Sequence, residues 1–192
     1  MSDNWTDFVS ADPWFRPEPA RFEQAVAYLR GELASSGEIA VRDGEAVRLF
    51  FSPSGGLAAR CPRCGAELSE QAIVDWLNSD CDSAGAFRLA PRAMACCGSQ
   101  VSLHELTGEP RFAFARFGVR IMNPEWKFQE TLPSQRAVDE MARNPGWIRA
   151  AEGDWLARHA RWIGELRAGE REIAARLAPI LGCEIVIVYE HF

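Results

Sequence analysis

Two groups of cysteines constrain this chain more than any other feature of its sequence. The first is Cys61-Pro62-Arg63-Cys64-Gly65, and the second is Cys96-Cys97-Gly98. Two residues between thiols let the chain fold back until both sulfurs face one ion. Cysteines grouped in this way are typical of a metal site, whereas disulfides need an exported and usually shorter chain. The sequence therefore predicts one zinc ion, bound by Cys61, Cys64, Cys96 and Cys97.

The second cysteine group departs from the first at one position. Cys97 and the glycine after it repeat the closing half of the first group, but Met94 stands where the first group has Cys61. A thioether cannot supply a thiolate. Cys96 is therefore expected to provide the fourth ligand from the position beside Cys97, with both adjacent cysteines turned onto one metal.

Two other residues are alternatives to Cys96 as the fourth ligand. Cys81 is the main one, because it follows Cys64 at a spacing that is common between the cysteine pairs of zinc sites. His104 is the weaker one. Cys183 lies far from both groups, just before an apolar strand, and we expect it to be a buried small hydrophobic residue.

The two cysteine groups together resemble the zinc-ribbon class over residues 58–108, with a helix interrupting the ribbon. The pattern is also similar to that of uncharacterised bacterial proteins with a Cys-Pro-x-Cys-Gly, a later Cys-Cys-Gly and a C-terminal apolar strand. This resemblance implies a metal but no activity, because ribbons serve transcription, RNA handling and plain folding. Four thiolates leave no coordination position open, so we expect the zinc to be structural.

The rest of the sequence predicts an α+β domain that carries the ribbon as an insert. The chain has 192 residues, of which 47% are hydrophobic and 25% charged, so it can bury a core as one domain. Residues 1–16 contain aromatic side chains without periodicity, and we interpret them as an N-terminal arm lying on the body. Residues 17–192 form the domain, and residues 58–108 are the zinc-ribbon insert.

The predicted elements form a mostly antiparallel sheet with helices on one face. Asp43-Gly44 is a strong hairpin signal and joins the first two strands. The predicted strands are Glu38–Arg42, Glu45–Phe51, Arg111–Met122 and Glu184–Tyr189. The predicted helices are 17–30, Ser69–Ser79, Ser134–Arg143, Asp154–Ala168 and Glu170–Leu181.

Charge and motifs together favour a non-enzymatic role. The net charge of −6 argues against a broad phosphate-binding surface. The sequence shows no nucleophile elbow, phosphate loop or dinucleotide fingerprint, so we do not expect an enzyme. No apolar run is long enough to cross a membrane and no secretory signal is visible, so we expect a cytoplasmic protein without membrane contact.

The predicted function is a protein-binding module with a structural zinc site, such as an adaptor or an immunity protein, whose partner is unidentified. The expected contact surface is the N-terminal arm, where aromatic residues stand among carboxylates. The alternatives are a nucleic-acid-binding zinc-ribbon protein and a small enzyme with a cryptic site. The first alternative would use the arginines of the insert, which are Arg60, Arg63, Arg88 and Arg92.

Overall fold

The computed structural model describes residues 4–35, 37–51, 57–108, 112–131 and 145–191. The strands are β1 (Asn4–Ser10), β2 (Ile39–Phe50), β3 (Ala59–Arg60), β4 (Glu67–Leu68), β5 (Arg92–Ala93), β6 (Gln100–Val101), β7 (Ala113–Met122) and β8 (Ile185–His191). The α-helices are α1 (Pro19–Glu32), α2 (Glu70–Asp80) and α3 (Pro145–Leu181), and short 3-10 helices span Leu103–Glu105 and Lys127–Thr131.

Four of the strands form one antiparallel sheet in the order β2–β7–β1–β8. Alternate residues of β7 point toward α1 and α3, which cover this face of the sheet and bury its apolar side chains. The α+β class and the mostly antiparallel sheet are therefore confirmed. The buried residues of this core include Phe8, Ala25, Leu29, Phe117, Val119, Ile121, Leu177 and Leu181.

The interpretation of residues 1–16 as an arm is wrong for its first half, because β1 is an inner strand of the sheet. It pairs with β7 on one side and with β8 on the other. Phe8 is 0% exposed, and Asp7 accepts two hydrogen bonds of 2.8 and 2.7 Å from Arg120, which lies directly opposite on β7. The two faces of β1 each mix polar and apolar residues, so the sequence lacks the alternation of polar and apolar residues that would have predicted a strand.

The predicted hairpin at Asp43-Gly44 is also wrong, because both of its halves belong to the single strand β2. Both halves pair with β7, which is long enough to reach along them, and a bulge separates them. Asp43 lies opposite Phe117, and Arg48 lies opposite Ala115. The residues looped out between them turn Val47 toward the insert, where its carbonyl accepts a 3.0 Å hydrogen bond from the Phe87 N–H.

The two last predicted helices are one continuous helix, α3. Gly169, the residue between the two predicted helices, lies inside α3 and in close contact with Phe128. The ring of Phe128 occupies the space that a side chain at this position would need. The predicted helix Ser134–Arg143 lies outside the described residues. Of the helices in the described residues, none is both long enough and apolar enough to pass through a bilayer.

A buried carboxyl group on α3 joins this helix to the sheet. Glu170 is 1% exposed, and its Oε1 accepts hydrogen bonds from Thr6 Oγ1 at 3.2 Å and from Trp126 Nε1 at 3.0 Å. Burial raises the pKa of Glu170 above its ordinary value, and the hydrogen bonds offset only part of that effect. The charged form of Glu170 is therefore disfavoured in the folded protein.

The role of β1 predicts a large loss of stability for one aromatic substitution in the N-terminal segment and a small loss for another. Phe8→Ala should lower the free energy of unfolding by about 3–5 kcal/mol, because it leaves a cavity in the main core. Trp14→Ala, at a side chain that is 46% exposed, should cost at most about 1 kcal/mol. Urea unfolding of both variants measures this difference, and equal small losses would contradict an inner strand at residues 4–10.

The buried Glu170 predicts a pH-dependent contribution to stability. Its folded-state pKa is raised, so as pH rises above the unfolded-state pKa the unfolded chain releases a proton that the folded chain keeps, and stability falls. Glu170→Gln cannot ionise and should lose this fall. Unfolding free energies at pH 5 and pH 8 test this, with Glu172→Gln as an exposed control on the same helix. The native protein should lose more stability between the two pH values than Glu170→Gln does, and equal losses would refute the prediction.

Candidate metal centre

The first cysteine group forms a tight turn between β3 and β4. The Cys61 N–H donates to the carbonyl of Ala66 at 2.9 Å, and the Gly65 N–H donates back to the carbonyl of Cys61 at 2.9 Å. Gly65 has a φ of 73°, a backbone conformation that a residue with a Cβ rarely adopts. This turn places the sulfurs of Cys61 and Cys64 on the same side of the chain.

The second group repeats this turn between β5 and β6. The Met94 N–H donates to the carbonyl of Ser99 at 2.9 Å, the Gly98 N–H donates to the carbonyl of Met94 at 2.7 Å, and Gly98 has a φ of 72°. Met94 therefore occupies the backbone position that Cys61 has in the first turn, as the sequence comparison of the two groups predicts. Its side chain is buried in the core of the insert, and Cys96 points its sulfur at the cluster instead.

The two turns face each other and bring four sulfur atoms together. The sulfurs of Cys61, Cys64, Cys96 and Cys97 all lie within 4.8 Å of one another. Cys64 Sγ is 3.4 Å from Cys96 Sγ, and Cys61 Sγ is 3.8 Å from Cys97 Sγ. A tetrahedron of sulfurs about 2.3 Å from a central zinc ion has edges of about 3.8 Å. The cluster therefore has the size of a four-thiolate metal site.

Two thiols of the cluster have pKa values that are shifted in opposite directions. Hydrogen bonds from Ser99 lower the pKa of Cys97 to about 6, whereas the contact with Cys64 raises the pKa of Cys96 to about 12. The two sulfurs therefore differ in how readily they lose a proton. A divalent cation at the centre would favour the deprotonated form of every thiol, because metal ligation requires thiolates.

The alternative ligands lie elsewhere. Cys81 ends α2, and its sulfur is 3.4 Å from the carbonyl of Asp82. His104 is exposed in the 3-10 helix after β6. Cys183 is partly buried against the main core, and this burial raises the pKa of its thiol. Among the described residues, the four cysteines of the two turns are the group close enough to share an ion.

Two carboxylates that the sequence interpretation missed hold the insert around the cluster. Glu105 accepts a 2.8 Å hydrogen bond from Arg63, inside the first turn, and a 2.7 Å hydrogen bond from the Ser102 N–H. Asp80 is buried and accepts from the Leu89 N–H at 2.7 Å. The Ser-x-x-Glu spacing of the capping box was a sequence signal for Glu105, whereas Asp80 carried no comparable signal.

The two ends of the insert lie side by side. Arg60 donates its N–H to the carbonyl of Thr107 at 2.6 Å, and the Thr107 N–H donates to Arg60 at 3.3 Å. Inside, Ile73 and Trp76 of α2 pack with the apolar residues that flank both cysteine turns, and Phe114 of β7 completes this second core. The cysteine cluster is thus carried on a small core that is continuous with the sheet.

The arginines proposed for nucleic-acid binding are occupied within the insert. Arg60 pairs with Glu67 at 2.6 Å and Arg63 with Glu105 at 2.8 Å. Arg88 donates to the carbonyls of Ser79 and Asp80, and Arg92 lies 5.6 Å from the ring centre of Trp76. Two of these charges are therefore paired with carboxylates, and the other two side chains are held by carbonyl groups and an aromatic ring.

This arrangement is suited to binding a soft metal ion and offers little for catalysis at the metal. Four thiolates complete a tetrahedral shell, so no position is left for a water molecule or a substrate. Protein-family models, curated proteins and solved structures were each compared with the chain, and none matches it.

The geometry predicts which cysteines a metal ion requires. Cys61→Ser and Cys97→Ser should each abolish tight metal binding, because a serine hydroxyl stays protonated at neutral pH and cannot replace a thiolate. Cys81→Ser and Cys183→Ser are matched controls and should leave the metal content unchanged. Elemental analysis of the purified variants measures this; loss of metal in the Cys81 variant with retention in a Cys96→Ser variant would reverse the assignment.

Proposed function

We propose that the protein binds one zinc ion through Cys61, Cys64, Cys96 and Cys97, and that it is a non-enzymatic, cytoplasmic protein-binding module. The observation that carries the zinc site is the set of four sulfurs within 4.8 Å of one another. Reduced cysteines at this density are kept by the reducing conditions of the cytosol. An adaptor or an immunity-protein-like role is consistent with a metal that stabilises the fold and leaves the chemistry of binding to other surfaces.

Zinc is the metal that the donor set favours. Thiolates are soft ligands and select zinc or iron over magnesium and calcium, and zinc accepts tetrahedral geometry without strain. The ribbon assignment is supported by the two cysteine turns, each of which closes a short antiparallel pair of strands, β3–β4 and β5–β6. In this assignment, α2 is the helix that interrupts the ribbon.

A structural role follows from the weakness of the two hairpins. Each strand of β3–β4 and β5–β6 is only two residues long. Isolated hairpins, even longer ones, are marginally stable in water. A zinc ion that joins the two turns would supply the link that these strands cannot, since zinc contributes roughly 10–16 kcal/mol to the folding of small zinc-binding peptides.

The buried charged groups of the described residues are used in packing contacts, and this supports a binding role over catalysis. Asp7 and Arg120 form a paired contact between two strands, and Glu170 bonds to Thr6 and Trp126. These are packing contacts in the described interior, not groups directed at a substrate. Trp14, at 46% exposure, is the aromatic residue of the N-terminal segment that is still available to a partner.

Metal removal should unfold the insert while the main sheet stays folded. Chelation under reducing conditions removes the link between the two turns, whereas the core between the sheet and α1 and α3 does not depend on it. Hydrogen exchange should show lost protection in residues 57–108 and retained protection in β1 and β7. Unchanged exchange in the insert after the metal is removed would contradict a structural role.

Capture from cells distinguishes protein from nucleic acid as the partner. The tagged protein should retain a protein partner after nuclease treatment, and Trp14→Ala should weaken this retention without loss of zinc. With net charge −6, we expect no nucleic-acid complex tighter than about 10⁻⁶ M at physiological salt, the tight end of non-specific binding. A nanomolar, salt-sensitive RNA or DNA complex would replace this proposal with the nucleic-acid alternative.

A further inference from the structure

A cleft of about 580 Å³ opens where the bulge of β2 meets the insert. One wall is formed by β2 and β7, and the other by Gly85 and Phe87 of the insert loop. Its volume lies within the range of small-molecule sites, about 300–1,000 Å³. The cleft is separate from the metal centre, and the function proposed above makes no use of it.

Two arginines on neighbouring strands face this cleft. Arg42 lies opposite Gly118 on β7, and Arg116 is two residues from Gly118 on the same strand, so the two side chains are diagonal neighbours on one face of the sheet. Each guanidinium is held against an aromatic ring, Arg42 over Phe50 at 5.4 Å and Arg116 over Trp14 at 5.2 Å. These contacts orient the guanidinium groups but leave their charges uncompensated.

Neither arginine belongs to any ion pair of the described residues. Those pairs use Arg16, Arg60, Arg63, Arg120 and Arg176. The Nε of Arg116 is also buried without a hydrogen-bond partner in the part of the chain that the structure describes. A buried donor of a charged group that bonds to nothing costs free energy, so the surroundings of Arg116 do not fully satisfy its guanidinium group.

Further charges around the cleft leave it positive. Arg48 is a third arginine in the lining and donates to the carbonyl of Ala84. The lining carboxylates are Asp43 and Glu45, and Asp43 is bound through both oxygens by Arg16 at 2.9 Å. Glu45 is therefore the one lining carboxylate that forms no salt bridge among the described residues, although its charge also acts on Arg16. A positive site stands out in a chain of net charge −6.

We propose that this cleft binds a small molecule that carries a phosphate group. Two guanidinium forks on one face match the oxygens of a phosphate dianion, because arginine recognises phosphate through paired N–H donors. Leu49, Phe50 and Phe87 line the same cleft and provide an apolar wall for the organic part of the ligand. Arg116 would contact the ligand through its terminal N–H groups, because its Nε is buried.

Calorimetric titration of the zinc-loaded protein with phenyl phosphate and with inorganic phosphate tests the proposal. Phenyl phosphate should bind at least tenfold more tightly, because only it contacts the apolar wall. Arg42→Gln and Arg116→Gln should each weaken its binding by about tenfold or more, the effect of losing a hydrogen bond to a charged group. Arg30→Gln, an exposed arginine at the end of α1, is the matched control and should change affinity less than twofold.

A conservative variant keeps the test decisive if Arg116→Gln fails to fold. Arg42→Lys retains the charge but not the fork, so it should bind more weakly than the native protein and more tightly than Arg42→Gln. The proposal is overturned if neither compound binds at millimolar concentration. It is equally overturned if the Arg42 variants and Arg30→Gln bind phenyl phosphate as the native protein does.

Discussion

Strand β7 is the element on which the rest of this structure depends, because it takes part in the core beneath the helices and in the core of the insert. Phe117, Val119 and Ile121 pack beneath α1 and α3, while Phe114 reaches the core of the insert. Its pairing with β1 includes the buried contact between Asp7 and Arg120, which fixes the register between the two strands. A charge buried without its partner is costly, so this pair disfavours every register in which the two residues are not opposite.

The insert and the sheet support each other through the bulge of β2. The looped-out residues after Asp43 direct Val47 into the insert core and form one wall of the arginine-lined cleft. The paired ends at Arg60 and Thr107 return the chain to the sheet beside its point of departure. One irregularity in one strand therefore positions both the module with the cysteine cluster and the cleft beside it.

Local sequence signals predicted the parts of this structure that local chemistry determines. The predicted helix Ser69–Ser79 corresponds to α2, which Ser69 caps, and the correspondence of Met94 with Cys61 predicted how the second cysteine turn is built. What the sequence did not reveal depends on distant partners. The strand character of β1 rests on β7 and β8, and the pairing of both halves of β2 with β7 overrode a strong turn signal at Asp43-Gly44.

The central claim is that one zinc ion lies among Cys61, Cys64, Cys96 and Cys97, and it is tested most directly by X-ray absorption at the zinc edge of the purified, reduced protein. The account predicts a single shell of four sulfur atoms at about 2.3 Å. A shell that includes nitrogen or oxygen at about 2.0–2.2 Å, or fewer than four sulfurs, would contradict it.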